Sequence, residues 1–296
     1  MTRQQLYLVL AAVAGVALLT WTIYSVGPSA LVQQLEALAP MLPLLLGLAA
    51  LRFLLQAAGW RLALAHTDRP SWGEMFKAVV AGEAAGYFAW GPISREPMKA
   101  FLLGDRVPQR EGLAAAMVER SLYTIVAAVL ILAAIGIVAV RYGRLWWFLV
   151  GFAAVAAMAM SAKRYWQRLG RIVEQRRTVA AILACGAAQE LSNVVEAYVV
   201  LAWLGAAPTV TSVLVLEGIS RLMNGAGQFI PGKLGITEAA TTALSEGLRL
   251  GASHGLSLAL ARRVRSLAWG TAGIAVVVMR AARTRQADPG PFLIAV

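Results

Sequence analysis

Apolar runs long enough to cross a bilayer recur from end to end of this chain, over 6–26, 42–65, 113–140, 145–162, 179–204 and 256–279. A spanning helix needs about 20 apolar residues to cross a hydrocarbon core of roughly 30 Å. Inside lipid, every backbone N–H and C=O must find a partner within the protein. The runs therefore read as helices, and the fold class as an all-α polytopic membrane protein. Composition agrees, with 59% hydrophobic and only 14% charged residues, where a soluble domain carries about 25% charged. The first run is too long for a signal-peptide core and reads as an uncleaved first span.

The chain carries 27 Lys+Arg against 15 Asp+Glu, a net charge of +12. The basic residues collect in loops between apolar runs, the pattern that orients membrane proteins, so nucleic acid is not an expected partner. Cys185 is the one cysteine, which excludes an internal disulfide. His66 and His254 are the only histidines and lie far from Cys185 in sequence, which argues against a Cys/His zinc site. The three aspartates, Asp68, Asp105 and Asp288, sit in loops or the tail, so Asp-dyad and Asp-rich metal chemistry are not expected. There is no nucleophile elbow and no P-loop. No metal, cofactor or enzymatic activity is expected from this pattern.

Two regions, 72–104 and 209–250, are only half apolar, and each is interrupted by Pro and Gly. The breaks run Trp90-Gly91-Pro92-Ile93-Ser94-Arg95-Glu96-Pro97 and Ile230-Pro231-Gly232-Lys233-Leu234-Gly235-Ile236-Thr237-Glu238. Ser94 and Thr237 are expected as N-caps of the helices that follow. Loop charge supplies the orientation. Lys163, Arg164, Arg168, Arg171, Arg176 and Arg177 place one loop in the cytoplasm, and Arg280, Arg283 and Arg285 place the tail there. The uncharged connection 205–211 falls outside, and Arg141 and Arg144 fall outside against the rule. These assignments are consistent if each broken region enters and leaves on one side. The expectation is six full spans plus two re-entrant helical hairpins, in the cell membrane, with both termini cytoplasmic. Eight full spans are the alternative. A helix from Thr237 to Leu250 would cover only roughly 21 Å, which disfavours it.

Glu96 and Arg120 are separated by the same interval as Glu238 and Arg262. Each glutamate follows a break and each arginine lies in the next long helix. We therefore divide the single membrane domain, 1–296, into pseudo-repeats 1–140 and 141–280 with a cytoplasmic tail at 281–296. An odd number of crossings per half makes the repeats inverted, a transporter architecture.

Charged residues fall inside apolar stretches at Arg52, Glu83, Glu119, Arg120, Glu190, Glu196, Glu217, Arg221, Arg262, Arg263 and Arg265. At about 2.5–3.5 kcal/mol each, facing lipid would cost on the order of 30 kcal/mol. Most must face one another or a wet cavity. Helical spacing groups Glu217, Arg221, Asn224 and Gln228 on one stripe, and Gln189, Asn193 and Glu196 on another. Glu83 shares a face with Tyr87, and Arg262 shares one with Arg265 and Trp269. Static salt bridges between helices and a ligand-binding cavity both remain open readings. Helix N-termini near Ser94 and Thr237, with Arg95 and Lys233 beside them, suit a phosphate or carboxylate. Glu96 and Glu238 sit at the same places and favour the helix dipole.

The run Gln228-Phe-Ile-Pro-Gly-Lys-Leu-Gly-Ile-Thr-Glu238 resembles the IPGGLGxxE signature of the lysylphosphatidylglycerol synthase/flippase membrane-region family. Gly91-Pro-Ile-Ser-Arg-Glu-Pro-Met-Lys-Ala-Phe-Leu102 resembles its first-half P-x-x-G-E-x-x-R element, with Lys99 where the pattern has Arg. Glu119-Arg120 and Arg262-Arg263 are similar to its later charged positions, and the similarity covers roughly 5–280. Lys233 replaces the second Gly of the Pro-Gly-Gly run. The resemblance implies a membrane-embedded lipid-translocation module. Bifunctional members carry a soluble aminoacyltransferase domain after the membrane region. With a short tail after the last span, that domain and its lipid synthesis are not expected here.

The function expected is a flippase- or scramblase-like transporter of a polar or phosphate-bearing lipid, passive or ion-coupled. The candidate substrate-binding residues are Arg95, Glu96, Arg120, Glu217, Arg221, Lys233, Glu238 and Arg262, with arginines as bidentate phosphate contacts. Glutamates pair with them in the empty state or carry a coupling proton. Membrane lipid is the expected partner, and homo-oligomerisation is open. Three alternatives stand beside this reading: a small-solute transporter with a closed cavity, an intramembrane lipid transferase using a nucleophile beside His66 or His254, and a non-transporting assembly factor with a dry centre.

Overall fold

The computed structural model describes residues 20, 21, 24, 28–64, 70–88, 92–142, 176–226 and 235–287. The expected runs 6–26 and 145–162 lie almost wholly outside them, as do positions 90–91 of the first break and 230–234 of the second, Lys233 included. Among the described residues every regular element is helical. Helix α1 (Pro28–Leu38) leads through a 3₁₀ turn into α2 (Leu42–Ala63), followed by α3 (Trp72–Phe88), α4 (Pro92–Leu102) and α5 (Gln109–Tyr142). The second set is α6 (Arg176–Trp203), α7 (Val210–Ala226), α8 (Ile236–Gly247) and α9 (Ala252–Ala287). Four stretches of the described residues are long and apolar enough to cross a membrane: Glu36–Ala63, Gln109–Arg141, Arg176–Trp203 and Ala252–Ala282. They coincide with four of the expected runs, so the chain is a multi-pass membrane protein.

The two broken regions each fold as a pair of packed helices, α3 with α4 and α7 with α8. Both pairs begin with side-chain caps. At α3, Ser71 N donates to Glu74 Oε2 at 2.8 Å and Glu74 N to Ser71 Oγ at 3.3 Å, a reciprocal capping box. At α7, Thr209 N donates to Ser212 Oγ at 3.0 Å and Ser212 N to Thr209 Oγ1 at 3.1 Å. The expected caps of the second helices move. Helix α4 starts at Pro92, whose missing N–H costs nothing in a first turn, and Ser94 lies inside the helix. Its hydroxyl donates to Ala85 O at 2.9 Å, tying α4 back to α3. Helix α8 starts after Gly235, at φ 78°, a left-handed conformation that glycine adopts at little cost. Thr237 is the second residue of that helix and not its cap.

Two apolar clusters mark opposite ends of the molecule. The first gathers the end of α2 (Ala57, Trp60, Ala63), the start of α3 (Met75, Ala78), the segment after α4 (Leu103, Val107) and the start of α5 (Ala115, Ala116). Glu74 and Arg106 close it with an exposed ion pair at 3.4 Å. The second gathers the start of α2 (Leu45), the end of α6 (Val200, Leu201), the start of α7 (Val213, Leu216), Leu250 after α8, and Leu258 of α9. Each helical pair thus begins and ends in one cluster, and the two pairs use different clusters.

Packing also maps onto itself when α2–α5 are exchanged with α6–α9. Helix α3 packs on α9 as α7 packs on α5, and α4 bridges α3 and α5 as α8 bridges α7 and α9. Helix α2 touches α3, α5 and α9 as α6 touches α7, α9 and α5, while α2 and α6 pack on each other. Small residues permit the close seams, as expected where no hydrophobic force separates helix from lipid. A Cβ on Gly273 of α9 would lie 2.5 Å from Val80 O of α3, and one on Gly218 of α7 would lie 2.4 Å from Ala134 Cβ of α5.

Candidate functional site

Polar side chains from α2, α3, α4, α5, α6, α7 and α9 converge on a cavity of about 240 Å³. Its charged lining is Arg52, Glu83, Arg95, Arg120, Arg221 and Arg265, with Gln56, Tyr87, Tyr123, Gln189, Asn193 and Ser266 between them. Phe53 and Trp269 form an aromatic wall, with ring centroids 5.3 Å apart and edge-to-face. The helical stripes explain the lining. Gln189 with Asn193, Glu83 with Tyr87, and Arg265 with Trp269 each turn one polar or aromatic face inward.

Behind the lining lies an ionic network. Glu196 of α6 has a fully buried side chain and holds three guanidiniums: Arg52 at 3.1 Å, Arg262 at 2.8 Å, and Arg265. Arg262 also meets Glu217 at 2.8 Å. Arg221 pairs with Glu190 at 2.8 Å, and Arg95 with Glu83 at 2.8 Å. Burying a charge alone costs several kcal/mol, about 3–5 once a partner is removed, so the pairing is obligatory. Among the described residues six arginines face four glutamates here, a surplus of two positive charges. Arg120 is the visible excess. Its guanidinium lies 5.1 Å from the Tyr123 ring centre, and no carboxylate among the described residues pairs with it.

Of the residues chosen from sequence, Arg95, Arg120 and Arg221 line the cavity. Glu217 and Arg262 join the network behind it. Glu96 and Glu238 sit outside this network, in two separate buried sites. Glu96 pairs with Lys99 at 2.5 Å, while Glu238 pairs with Arg263, the neighbour of the expected Arg262. Lys233 lies outside the described residues. Arg52, Glu190, Glu196 and Arg265 were legible as intramembrane charges but not as one network. The stripes Gln189–Asn193–Glu196 and Arg262–Arg265–Trp269 were the signal that they share faces. His254 Nδ1 is 2.7 Å from Leu250 O, a local helix contact, and His66 lies outside the described residues. No group of His, Cys, Asp and Glu suited to a metal occurs among the described residues.

A helical multi-pass membrane protein with a cationic polar cavity backed by buried ion pairs is the class these features define. The chain belongs to the family described as the lysylphosphatidylglycerol synthase TM region, which it matches over residues 8–274. That membership gives it a membrane-lipid-related function. No curated protein and no solved structure matches the chain.

Proposed function

We propose that this chain is a flippase- or scramblase-like transporter whose cavity takes the phosphate-bearing headgroup of a membrane lipid while the acyl chains stay in lipid. The observation that carries the reading is the surplus cationic charge of the cavity, centred on Arg120. A static bundle held by salt bridges gains nothing from a guanidinium with no carboxylate in contact, whereas a phosphate site needs one. In this reading the headgroup phosphate meets Arg120 first and competes for Arg221 and Arg265, which already share carboxylates. The chain acts by transport and not by catalysis.

The accompanying membrane arrangement is six spans with two re-entrant hairpins, α3–α4 and α7–α8, in inverted halves. Support comes from two hairpins that each begin and end in one apolar cluster, a different cluster for each, and from the exchangeable packing. The end holding Arg61, Lys77, Arg106, Arg110, Arg176, Arg177 and Arg280 is cytoplasmic in this arrangement, by the positive-inside rule. Arg141 and Arg249 lie at the other end.

Thermal unfolding of the detergent-purified protein tests the headgroup site. Dioctanoyl-phosphatidylglycerol should raise the melting temperature in a concentration-dependent way and dioctanoylglycerol should not. Arg120→Ala should lose the shift. Equal shifts from both lipids, or an undiminished shift in Arg120→Ala, would remove the phosphate assignment.

A further inference from the structure

Beside the cavity, and outside the network just described, Lys99 of α4 lies between two carboxylates. Its Nζ is 2.5 Å from Glu96 Oε2 and 3.5 Å from Glu119 Oε2 of α5. All three side chains are at least 95% buried. The Trp60 ring of α2 covers the ammonium, 5.2 Å from its centre. Glycines let the walls close in. A Cβ on Gly82 of α3 would lie 2.5 Å from Lys99 Cγ, and one on Gly59 of α2 would lie 3.3 Å from Glu119 Cγ. Glu96 Oε1 is buried with no hydrogen-bond donor among the described residues.

We propose that Glu96, Lys99 and Glu119 form a proton-binding site, linked through Arg120 to the occupancy of the cavity. The proton site stands on this geometry alone; the linkage rests on the headgroup reading above.

Two carboxylates around one ammonium leave an excess negative charge in a dry pocket. Water cannot solvate it, and like charges held this close do not both ionise readily. One proton from solvent, bonded to a carboxylate oxygen, removes the excess, and no other bond changes. The neighbours do not offer a simpler remedy. On α4, Arg95 is committed to Glu83 of α3. On α6, the Cys185 side chain approaches Gly59 of the same wall and brings no cation. On α2, Trp60 offers a ring. The remaining cation is Arg120, adjacent to Glu119 in sequence and turned toward Tyr123 and the cavity.

That adjacency couples the two sites. With the cavity empty, Arg120 partly compensates the carboxylate pair. An anion in the cavity takes up the field of Arg120, and the pair then holds its proton more tightly. By reciprocity, protonation of the pair frees Arg120 for an anion. Anion entry and proton uptake therefore go together.

Infrared difference spectroscopy on the full chain in lipid nanodiscs reads the site directly, through the carbonyl band of a protonated carboxyl group. Wild-type protein should show a band for one proton that titrates with pH. Glu96→Gln and Glu119→Gln should each abolish it, because either leaves a single carboxylate matched to Lys99. Should one variant fail to fold, the other carries the same test. Dioctanoyl-phosphatidylglycerol should raise the wild-type proton affinity roughly tenfold, and should not do so in Arg120→Gln. A wild-type spectrum without the band, or a band that survives both glutamine variants, overturns the proton site. Probe that binds without moving the titration overturns the linkage. Probe that does not bind removes the headgroup reading and the linkage together, while the band still decides the proton site.

Discussion

Glu196→Gln takes away the carboxylate that three arginines share. Arg262 keeps Glu217 at 2.8 Å, but Arg52 and Arg265 keep no carboxylate among the described residues. Stranding a buried charge costs about 3–5 kcal/mol. Two charges are stranded here, yet both side chains line the polar cavity, where water takes over part of the lost solvation. We therefore expect a loss of about 3–5 kcal/mol in total, a large share of a typical net stability of about 5–15 kcal/mol. Glu190→Gln is the internal comparison. It strands only Arg221, whose side chain is 28% exposed, so roughly 1–3 kcal/mol is expected. Thermal and denaturant unfolding in detergent measure both. Adding Arg265→Met to Glu196→Gln should recover part of the loss, since it removes one of the stranded charges. The reasoning fails if Glu196→Gln is no less stable than Glu190→Gln, or if the second substitution recovers nothing.

Three further outcomes follow from the same structure. Gly273→Ala and Gly218→Ala should each destabilise by about 1–3 kcal/mol in thermal melts, since the new Cβ meets backbone or Cβ atoms across the α3–α9 and α5–α7 seams; Gly47→Ala, with nothing within 4 Å, should be close to neutral. At the exposed entry to α3, the backbone N–H and hydroxyl of Ser71 hold the Glu74 carboxyl below its ordinary range. The contribution of a lowered carboxyl is present above its unfolded pKa and is lost as pH falls through the folded value. Ser71→Ala should therefore cost about 1 kcal/mol near neutral pH, and the difference from wild type should shrink on acidification. In a Cys185→Ala background, cysteines at Ala207 and Ser253 should label from the outer side and one at Arg110 from the cytoplasm. Labelling of Ala207 and Ser253 from opposite sides would contradict the re-entrant α7–α8 hairpin.

Length and hydropathy made α2, α5, α6 and α9 legible, because a spanning helix must be long and apolar whatever its neighbours. The breaks were legible from Pro92, Pro231 and their glycines, but their caps were not. Ser94 and Thr237 have good cap chemistry, yet Pro92 and Gly235 set where the helices begin through backbone geometry. Intramembrane charges were visible individually, since each is costly in lipid. Their pairing was not, because adjacent helical residues point about 100° apart and small rotations choose between them. So Arg263, and not Arg262, meets Glu238, while Arg262 turns to Glu196 and Glu217. Lys99 had only its place in a motif to recommend it. Its burial between Glu96 and Glu119 depends on the packing of α4 against α3 and α5, which no local spacing encodes.

The most direct test of the account is translocation in reconstituted liposomes. Fluorescent phosphatidylglycerol is placed in both leaflets, and a membrane-impermeant quencher reads how much of it reaches the outer one. Wild-type protein should expose nearly all of the label over time, while protein-free liposomes expose only about half. Arg120→Ala, confirmed as folded by thermal melting, should slow this by at least tenfold, and Arg120→Lys should retain part of the rate because it keeps the charge without the bidentate fork. A wild-type trace no different from protein-free liposomes, or an Arg120→Ala trace that matches wild type, would contradict a headgroup path through this cavity.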